Sequence, residues 1–327
     1  MICGLSAGGL ILTYRCNAAC RHCLYKSSPR RDGAYMNPET LRGMLRKAAS
    51  LGCRSFHLGG GEPFLDFDGL LAVVEVMAEE GIAVDYLETN AGWFEEAPEA
   101  RRRIRELAAA GVGTVMVSLC PFHVEFVPLA KAEGVISACR DAGTGCFVWQ
   151  EQYRRELSRL DPQRVHGPSE LREAFGEDYV LGAAERFGLT LNGRALRTFA
   201  PALRKKSVEE ILQENPGGCG ELLRTGHFHL DPSGAYVPPG CVGFVLRVDD
   251  LGAPLNEEAY RRFLTAARDG IAGLLGLAAD EAGFAPDAEG YVSKCHLCED
   301  IRRALVAAAG ESGAIPDLGP AEFYAMA

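Results

Sequence analysis

Cys16-Asn-Ala-Ala-Cys20-Arg-His-Cys23 follows directly after the apolar run Gly9-Leu-Ile-Leu-Thr-Tyr14, and it places three thiols within eight residues. An apolar strand that ends in closely spaced cysteines is suited to hold a soft metal centre at the mouth of a sheet, because thiolates select iron–sulfur clusters, zinc or copper(I) over hard cations. A closed structural zinc site would need a fourth ligand nearby. His22 is the only local candidate, and its short tether between two cysteines makes joint ligation awkward.

The bulk composition is that of a globular protein whose cysteines serve as metal ligands. The 327 residues are enough for about two domains. The net charge of −10 argues against a nucleic-acid partner, because phosphate binding needs a basic surface. Residues 1–6 lack the positive start of a secretory signal, and no apolar run approaches the ~20 residues needed to cross a bilayer. The twelve cysteines therefore indicate a cytoplasmic protein with metal ligands rather than disulfides, and no membrane partner.

Strand and helix patterns alternate along the first two-thirds of the chain. The predicted strands are Leu10–Tyr14, Arg54–Leu58, Ala83–Glu88, Thr114–Leu119, Gly145–Trp149 and Leu189–Leu191. The helical patterns between them are Pro38–Ser50, Asp68–Glu80, Pro98–Ala110, Val124–Asp141 and Ser169–Arg186. Such an alternation predicts an α/β fold with a parallel sheet.

The pattern changes after residue 215, and we place a domain boundary there. The run from His227 to Val237 predicts a β-hairpin that turns on Asp231-Pro-Ser-Gly234. Further helices are predicted over Asn256–Ala272 and from Cys295 onward. The chain is thus divided into residues 1–215 and a smaller α+β part, residues 216–327.

A second motif, Gly59-Gly60-Gly61-Glu62-Pro63, ends the second predicted strand. Glycines at such a turn let a ligand lie against bare backbone, and the glutamate can accept a hydrogen bond from an ammonium group. A glycine-rich turn between a strand and a helix is common by itself. This turn is informative because the closely spaced cysteines precede it in the same chain.

Together the two motifs resemble those of radical S-adenosylmethionine (SAM) enzymes. In that family the C-x3-C-x2-C loop, here Cys16, Cys20 and Cys23, binds a [4Fe-4S] cluster whose fourth iron is chelated by SAM. One electron then cleaves SAM to methionine and a 5′-deoxyadenosyl radical, which abstracts a hydrogen atom from the substrate. The resemblance implies a partial (β/α)6 TIM-like barrel, with SAM and this cluster as cofactors.

The resemblance also implies SAM-binding roles for residues that match the family in type and position. These are Gly60, Gly61, Glu62 and Pro63 for the amino group, Asn90 after strand three, Ser118 for the ribose and His22 near the adenine. Many relatives have an aspartate two residues after the serine, whereas this chain has Cys120, so a thiol lies where substrate would bind. Arg194 follows the last predicted strand, where an arginine suits binding of a carboxylate from SAM or substrate.

Four further cysteines form a second constellation in residues 216–327: Cys219, Cys241, Cys295 and Cys298. Four soft ligands from distant segments fit either a zinc site or a [4Fe-4S] cluster. Beside a radical SAM barrel they resemble the auxiliary-cluster extensions called SPASM or twitch domains. A full SPASM domain has enough cysteines for two clusters, whereas only four remain here. We therefore expect one auxiliary [4Fe-4S] cluster, fully ligated by protein.

Cys120 and His123 are the candidate catalytic residues. The weak S–H bond of Cys120 suits donation of a hydrogen atom to a substrate radical, and simple packing is the alternative. His123, with Glu125 two residues later, offers an acid/base pair for substrate deprotonation. The alternative for His123 is a surface histidine.

The leading hypothesis is an enzyme that uses the radical to oxidise or rearrange a small-molecule or peptide substrate, with the auxiliary cluster assisting electron transfer. It requires an external one-electron reductant of the flavodoxin or ferredoxin kind. The second enzymatic hypothesis is an epimerase with Cys120 as hydrogen-atom donor. The alternative of another class is a non-catalytic iron–sulfur or zinc protein, a sensor or an electron carrier, which would not need the Gly59–Pro63 turn.

Overall fold

The computed structural model describes residues 2–310, 315–319 and 323–324. The strands are β1 (Ala7–Ile11), β2 (Ser55–Gly59), β3 (Ala83–Thr89), β4 (Thr114–Ser118), β5 (Gly145–Trp149), β6 (Gly226–Leu230), β7 (Ala235–Val237), β8 (Gly243–Phe244), β9 (Leu246–Arg247) and β10 (Leu318–Gly319). The α-helices are α1 (Pro38–Ser50), α2 (Phe67–Glu79), α3 (Ala97–Ala110), α4 (Leu129–Ala142), α5 (Glu151–Leu157), α6 (Pro168–Phe175), α7 (Tyr179–Phe187), α8 (Gly193–Phe199), α9 (Val208–Glu214), α10 (Arg261–Ala282) and α11 (Lys294–Ala309).

The main sheet of the described residues has eight strands in the order β5-β4-β3-β2-β1-β6-β7-β9. The first six strands of that order run parallel, and β7 and β9 extend the sheet with antiparallel pairings. Strands β8 and β10 form a separate antiparallel pair. The predicted α/β fold with a parallel sheet of six strands is therefore confirmed.

The sixth parallel strand is a different segment from the predicted one. Leu189–Leu191 forms no strand and connects α7 to α8. The sixth strand is instead β6, the first strand of the predicted hairpin, and it pairs with β1 on the side away from β2. Phe228 and Leu230 of β6 are fully buried there, beside Gly8 and Leu10 of β1. The short segment 189–191, with a polar residue at its centre, offers far less apolar surface to bury.

The division at residue 215 stays a prediction. Strand β6 lies beyond it and is hydrogen-bonded to β1, so the parallel sheet draws on both parts of the chain. The sequence placed β6 in the second part because its hairpin turn is a strong local signal. Its parallel pairing with β1 is a long-range contact that carries no such signal.

The helices of the first part agree with the sequence patterns in most cases. Helix α1 spans the predicted Pro38–Ser50, and the Asn37 side chain caps it by accepting hydrogen bonds from the N–H groups of Glu39 and Thr40. The pattern over residues 169–186 is divided into α6 and α7. Gly176 lies at the division, with a φ of 110° that helical residues do not adopt.

The two faces of the parallel sheet differ in chemistry. One face carries fully buried apolar side chains such as Phe56, Leu58 and Leu87, which belong to the core shared with the helices. The other face of β2 and β3 carries His57 and Glu88, whose Nε2 and Oε1 atoms lie 3.8 Å apart. Polar and titratable groups therefore collect on the face away from the apolar core, which is the face where a site can form.

Helices α10 and α11 pack against each other in the second part of the chain. Helix α10 is kinked at Gly270, which has a φ of 66°. A Cβ atom at Gly270 would lie 2.0 Å from the carbonyl oxygen of Gly217, so this glycine lets the segment before Cys219 approach the helix. Within the described ranges, no helix combines the length and apolar character required to span a membrane.

Candidate active site and cysteine clusters

A hydrogen-bonded arginine holds the cysteine loop, residues 16–23, in place. The guanidinium of Arg194 in α8 donates from Nη1 to the carbonyl oxygen of Cys20 at 2.9 Å. It also donates from Nη2 to the carbonyl oxygen of Ser27 at 2.8 Å. The backbone N–H of Arg194 donates to the carbonyl oxygen of Cys23 at 3.0 Å. Arg194 therefore positions the cysteine loop, and its predicted contact with a SAM carboxylate stays a prediction.

The sulfur atoms of the loop receive hydrogen bonds from nearby amides. Cys16 Sγ lies 3.4 Å from the N–H of Ala18 and 3.3 Å from Nδ2 of Asn90. Cys23 Sγ lies 3.3 Å from the N–H of Ser27. Burial raises the pKa of the Cys16 thiol to about 12, so the free thiol is protonated at neutral pH. Donors aimed at sulfur suit a thiolate, which a bound metal would keep deprotonated.

The glycine turn after β2 packs directly on the start of the cysteine loop. The N–H of Gly61 donates to the carbonyl oxygen of Thr13 at 2.7 Å, and the N–H of Glu62 donates to that of Arg15 at 3.0 Å. A Cβ atom at Gly60 would lie 2.7 Å from the Thr13 oxygen, and one at Gly61 would lie 1.9 Å from the Arg15 oxygen. Gly60 and Gly61 therefore let two backbone segments approach each other closely. This is a reason for glycine at these positions besides the predicted contact with a ligand.

We expect Gly61→Ala to separate the glycine turn from the cysteine loop. The added methyl group would overlap the Arg15 carbonyl, which cannot move without moving the loop. The expected result is a loss of about 1–3 kcal/mol or more in the free energy of unfolding, with less iron bound after reconstitution. Thermal unfolding and iron content measure these effects. Gly43→Ala is the control, because a Cβ at that helical position meets nothing, and we expect it to leave iron binding unchanged.

Glu62 is fully buried and its carboxylate is fixed by three donors. Oε1 accepts hydrogen bonds from Thr89 Oγ1 at 2.8 Å and from the N–H of Phe64 at 3.2 Å, and Oε2 accepts one from the N–H of Asn90 at 2.7 Å. Burial raises the pKa of Glu62 to about 7, and the three donors oppose that rise. Asn90 thereby joins Glu62 to Cys16, so the acidic turn and the cysteine loop form one site.

Cys120 and His123 lie in contact just beyond Ser118, the last residue of β4. The Sγ atom of Cys120 is 2.9 Å from Nδ1 of His123, and the thiol is almost completely buried. The His22 ring packs against His123 with centroids 4.9 Å apart. Nδ1 of His22 is buried and has no hydrogen-bond partner among the described residues. Cys120 and His123 thus meet His22 of the cysteine loop, one ligand atom of each lying within 4.8 Å of the other two, and Ser118 lies two residues before Cys120 in the chain.

The proposed pairing of His123 with Glu125 does not occur. Glu125 accepts hydrogen bonds from Nε of Arg21 at 2.9 Å through both of its oxygens, whereas His123 contacts Cys120. The turn between them points successive side chains in different directions, which their spacing in sequence could not reveal. Burial lowers the pKa of His123 to about 4, so its ring is neutral near pH 7.

The four remaining predicted ligands, Cys219, Cys241, Cys295 and Cys298, line one cavity of about 610 Å³. Cys295 and Cys298 lie in the first turns of α11, which Ser293 caps by accepting a hydrogen bond from the N–H of His296. Asn192 donates from Nδ2 to the carbonyl oxygen of Gly240 at 2.7 Å, next to Cys241. Burial raises the pKa of the Cys219 thiol to about 12 and that of the Cys295 thiol to about 11. The structure thus brings together all four cysteines that the sequence predicted to share a site.

The sulfur atoms of both cysteine sets are spread more widely than a single ion requires. Among the described residues, no three sulfur atoms of either set all lie within 4.8 Å of one another. A tetrahedral zinc ion with Zn–S bonds of about 2.3 Å would hold its thiolates about 3.8 Å apart. A four-iron cluster binds one cysteine at each of its corners and therefore accepts the wider spread.

A buried ion pair connects the two cysteine regions. Nζ of Lys26, three residues after Cys23, lies 3.0 Å from Oε1 of Glu299, which directly follows Cys298. The side chains are only 4% and 2% exposed. Lys26 also donates to the carbonyl oxygen of Phe323 at 3.2 Å. Burial lowers the pKa of Lys26 to about 8.

Three histidines form a cluster on the sheet face that carries His57 and Glu88, called the open face from here on. No local pattern in the sequence indicates this cluster. Nε2 of His57 lies 3.0 Å from Nε2 of His229, and His227 stacks on His57 with ring centroids 5.0 Å apart. Burial lowers the pKa of His57 to about 4. The spacing of His227 and His229 on one strand placed them on one face, but their meeting with His57 depends on the pairing of β6 with β1.

An aromatic row continues from this cluster across the sheet. Tyr86 stacks on His57 with ring centroids 5.1 Å apart, and Phe147 contacts Tyr86 edge-on at 5.7 Å. Phe147 and Trp149 of β5 are 39% and 47% exposed. Exposed aromatic side chains that adjoin buried polar groups are typical of a surface that binds a ligand.

Comparisons with known proteins agree with the cysteine motif. The family described as "Radical SAM superfamily" matches residues 10–125. The "Probable GTP 3',8-cyclase" of Methanosarcina acetivorans is 32% identical over 235 residues, which cover 67% of this chain and 63% of that protein. The chain thus spans less than two-thirds of that curated relative.

Two solved structures match the chain at low sequence identity and with TM-scores below 0.5. BtrN in complex with AdoMet and 2-DOIA gives a TM-score of 0.45 at 14% identity, covering 81% of this chain and 88% of that chain. Streptococcus suis SuiB bound to S-adenosylmethionine gives a TM-score of 0.40 at 18% identity, covering 78% of this chain and 63% of that chain.

Proposed function

We propose that the chain is an enzyme that cleaves SAM reductively to start radical chemistry on a substrate C–H bond, and the match of residues 10–125 to the radical SAM superfamily supports this. The observation that carries the proposal is the joint site of Cys16, Asn90 and Glu62. A non-catalytic iron–sulfur carrier would not need a buried carboxylate joined to its cysteine loop through hydrogen bonds.

The donor set of the cysteine loop fits a [4Fe-4S] cluster with one iron left for SAM. Cys16, Cys20 and Cys23 supply three thiolates, and amides donate to two of the sulfurs. When bound, the cluster and SAM supply a 5′-deoxyadenosyl radical after transfer of one electron from an external reductant of the flavodoxin or ferredoxin kind. Arg194 holds the loop through three carbonyl groups, so that the thiols keep their relative positions.

We assign the ammonium group of SAM to Glu62 as part of the same proposal. Its Oε2 atom receives one hydrogen bond from Asn90, and a carboxylate oxygen has room for a second donor. Three existing donors fix its orientation, so binding a cation does not require the side chain to reorganise. Pro63 starts the short helical turn that follows, which positions Phe64 as one of these donors. Ser118 and His22 complete the proposed contacts, with the ribose and the adenine.

We further propose that residues 216–327 form an auxiliary domain with one [4Fe-4S] cluster. Support comes from the cavity of about 610 Å³ that all four cysteines line. Four cysteines would occupy every iron of such a cluster, which suits a role in electron transfer rather than substrate binding. The buried pair of Lys26 and Glu299 fixes this domain against the SAM-binding loop.

The proposed substrate is a small molecule or a peptide that packs on the aromatic row of the open face. Phe147 and Trp149 offer exposed rings at the edge of the sheet. The row leads to Tyr86 and His57, so a polar group of the substrate would meet buried polar side chains beyond the rings. Location in the cytoplasm is part of the same proposal, because thiol-ligated clusters require reducing surroundings.

Formation of 5′-deoxyadenosine tests the proposed function directly. Protein reconstituted anaerobically with iron and sulfide is mixed with dithionite and SAM, and the products are separated by chromatography. We expect 5′-deoxyadenosine in amounts that exceed one per chain. Full iron loading without any 5′-deoxyadenosine would favour the electron carrier and overturn the proposal.

A second reaction, epimerisation, is favoured by the burial of Cys120 beside His123. Transfer of a hydrogen atom from the Cys120 thiol to a substrate radical leaves a thiyl radical, which one electron from the reductant and one proton restore. His123, whose ring is neutral near pH 7, lies at 2.9 Å to relay that proton.

Cys120→Ala separates hydrogen donation from hydrogen abstraction. With a candidate peptide or small molecule that raises 5′-deoxyadenosine formation, we expect the variant to keep forming it while product falls at least about 100-fold. Mass spectrometry in D2O checks the source of the hydrogen, because the Cys120 thiol exchanges with solvent and labels the product. Cys139→Ala, another fully buried cysteine, is the control. Unchanged product formation in Cys120→Ala would remove the donor role.

A further inference from the structure

The histidine cluster on the open face has been given no metal ion so far, and only His57 has been named as a contact of the proposed substrate. We propose that His57, His227 and His229 bind one divalent transition-metal ion of the zinc type, with Glu88 in reach as an oxygen ligand. This site is separate from both cysteine sets and does not depend on the proposed radical chemistry.

The geometry of the three rings fits a single ion. One ring nitrogen from each of His57, His227 and His229 lies within 4.8 Å of the other two. The Nε2 atoms of His57 and His229 are 3.0 Å apart. Bonds of about 2.0–2.1 Å in a tetrahedral zinc site put nitrogen ligands about 3.3 Å apart, close to the observed separation. Oε1 of Glu88 lies 3.8 Å from Nε2 of His57, so a carboxylate adjoins the same point.

The backbone makes room for these rings at one position. Gly9 of β1 lies in register between His57 of β2 and His229 of β6. A Cβ atom at Gly9 would lie 2.3 Å from Nε2 of His57 and 2.5 Å from the His229 ring. Any side chain at Gly9 would therefore occupy the space in which the ring nitrogens converge. A glycine inside a strand often marks such a close approach.

His227 reaches the cluster through an irregular backbone. The register between β1 and β6 shifts between Ala7 and Gly8, which leaves His227 as the bulged residue. Its φ is 61°, a left-handed conformation that is uncommon for residues other than glycine. Bulges and strained residues of this kind occur where a strand must redirect a side chain at a site. The imidazole of His227 is thereby stacked on His57.

A hydrogen bond between two histidines does not account for the arrangement. The contact between Nε2 of His57 and Nε2 of His229 requires that one of these two nitrogens carries a proton and that the other does not. A single shared proton explains the contact between His57 and His229. It does not explain why the imidazole of His227 lies against His57 as well.

The ligand types indicate the class of metal. Imidazole nitrogens with one carboxylate suit zinc, iron(II) or a related ion rather than magnesium or calcium, and they differ from the thiolates of the cysteine sets. Glu88 immediately precedes Thr89 and Asn90, which fix Glu62. If the proposed function holds, the ion would orient a substrate oxygen next to the SAM-binding residues. Only this use rests on the proposed function.

Zinc binding to the cluster-loaded protein tests the site. Reconstituted protein, in which iron occupies the cysteine sets, is dialysed against zinc and analysed for metal content. We expect about one zinc per chain, and X-ray absorption at the zinc edge with nitrogen and oxygen neighbours at about 2.0–2.1 Å. No bound zinc, or sulfur neighbours at about 2.3 Å, would overturn the proposal.

A double variant and a control test whether the histidines bind the ion. In the double variant His57→Gln/His229→Gln we expect zinc affinity to fall about 100-fold or more. The control is His166→Gln, which removes a buried histidine remote from β2 and β6 and should bind zinc as the unchanged protein does. Equal zinc binding by the double variant would contradict the assignment. The absorption spectrum of the unchanged protein decides the question even if the double variant fails to fold.

Discussion

Removal of the loop thiols is expected to abolish SAM cleavage. In the triple variant Cys16→Ala/Cys20→Ala/Cys23→Ala, formation of 5′-deoxyadenosine should fall by at least about 100-fold, equivalent to about 2.7 kcal/mol or more in the activation free energy. Iron content should fall by about four atoms per chain, because one cubane is lost. The reason is chemical: without thiolates the loop retains only amide donors and a buried carboxylate. Anaerobic product analysis and iron determination measure both effects.

Two further variants make this result specific. Cys53→Ala removes another fully buried thiol outside both cysteine sets, and we expect it to keep its iron and its activity. Cys295→Ala/Cys298→Ala should lose about four other iron atoms while SAM cleavage continues. The assignment of the loop would be wrong if the triple variant kept its activity, or if Cys53→Ala lost as much iron.

The second large effect is expected at the buried ion pair of Lys26 and Glu299. Replacing one partner, as in Glu299→Leu, leaves the Lys26 amine without its carboxylate in a site where its side chain is only 4% exposed, and it also removes the acceptor of Arg303. Such a loss costs up to about 3–5 kcal/mol, because the buried amine must either stay charged without a partner or give up its proton. We expect the melting temperature of the cluster-loaded protein to fall by about 6 °C or more. Circular dichroism under anaerobic conditions measures this shift.

A double variant distinguishes the loss of one charge from the loss of both charges. Lys26→Met/Glu299→Leu removes both buried charges and leaves the partly exposed Arg303 without its carboxylate, so it should recover part of the stability that either single variant loses. The exposed pair of Arg102 and Glu99 has a similar bond length of 2.7 Å, with both side chains about half exposed. Arg102→Met should therefore cost less than about 1 kcal/mol. Equal losses in Glu299→Leu and Arg102→Met would contradict the role of burial.

The same pair gives the proposed electron path a structural basis. Lys26 follows the loop cysteines by three residues, and Glu299 adjoins the last auxiliary cysteine. A rigid contact between the two segments would keep the distance between the clusters constant. The single variants should therefore impair transfer between clusters, in addition to stability, whereas Gly43→Ala should leave transfer between clusters unchanged.

Local patterns in the sequence were sufficient for the parts of the molecule that depend on neighbouring residues. The spacing of Cys16, Cys20 and Cys23 predicted a metal-binding loop after β1, and the loop lies there. The Gly59–Pro63 turn was predicted to bind the same cofactor as the loop, and hydrogen bonds join the turn to the residues just before the loop. The four later cysteines were predicted to share one site, and they line one cavity.

Other features depended on contacts between residues far apart in the chain. The contacts of Arg194 with the carbonyl groups of Cys20 and Ser27 were not predicted, because they depend on the packing of α8 beside the cysteine loop. Its predicted contact with a carboxylate stays a prediction. His123 pairs with Cys120 rather than with Glu125, since the turn after β4 directs their side chains apart. No local pattern encodes either contact.

By itself the sequence determined the ligands, the glycine turn and the α/β alternation, because each depends on residue type and short spacing. Only the tertiary structure decided that β6 lies beside β1, and with it the meeting of His57 and His229 across Gly9. The pair of Lys26 and Glu299 joins residues 273 positions apart. Such contacts arise from the packing of whole elements, in which burial of apolar faces selects the neighbours and polar side chains are brought together as a consequence.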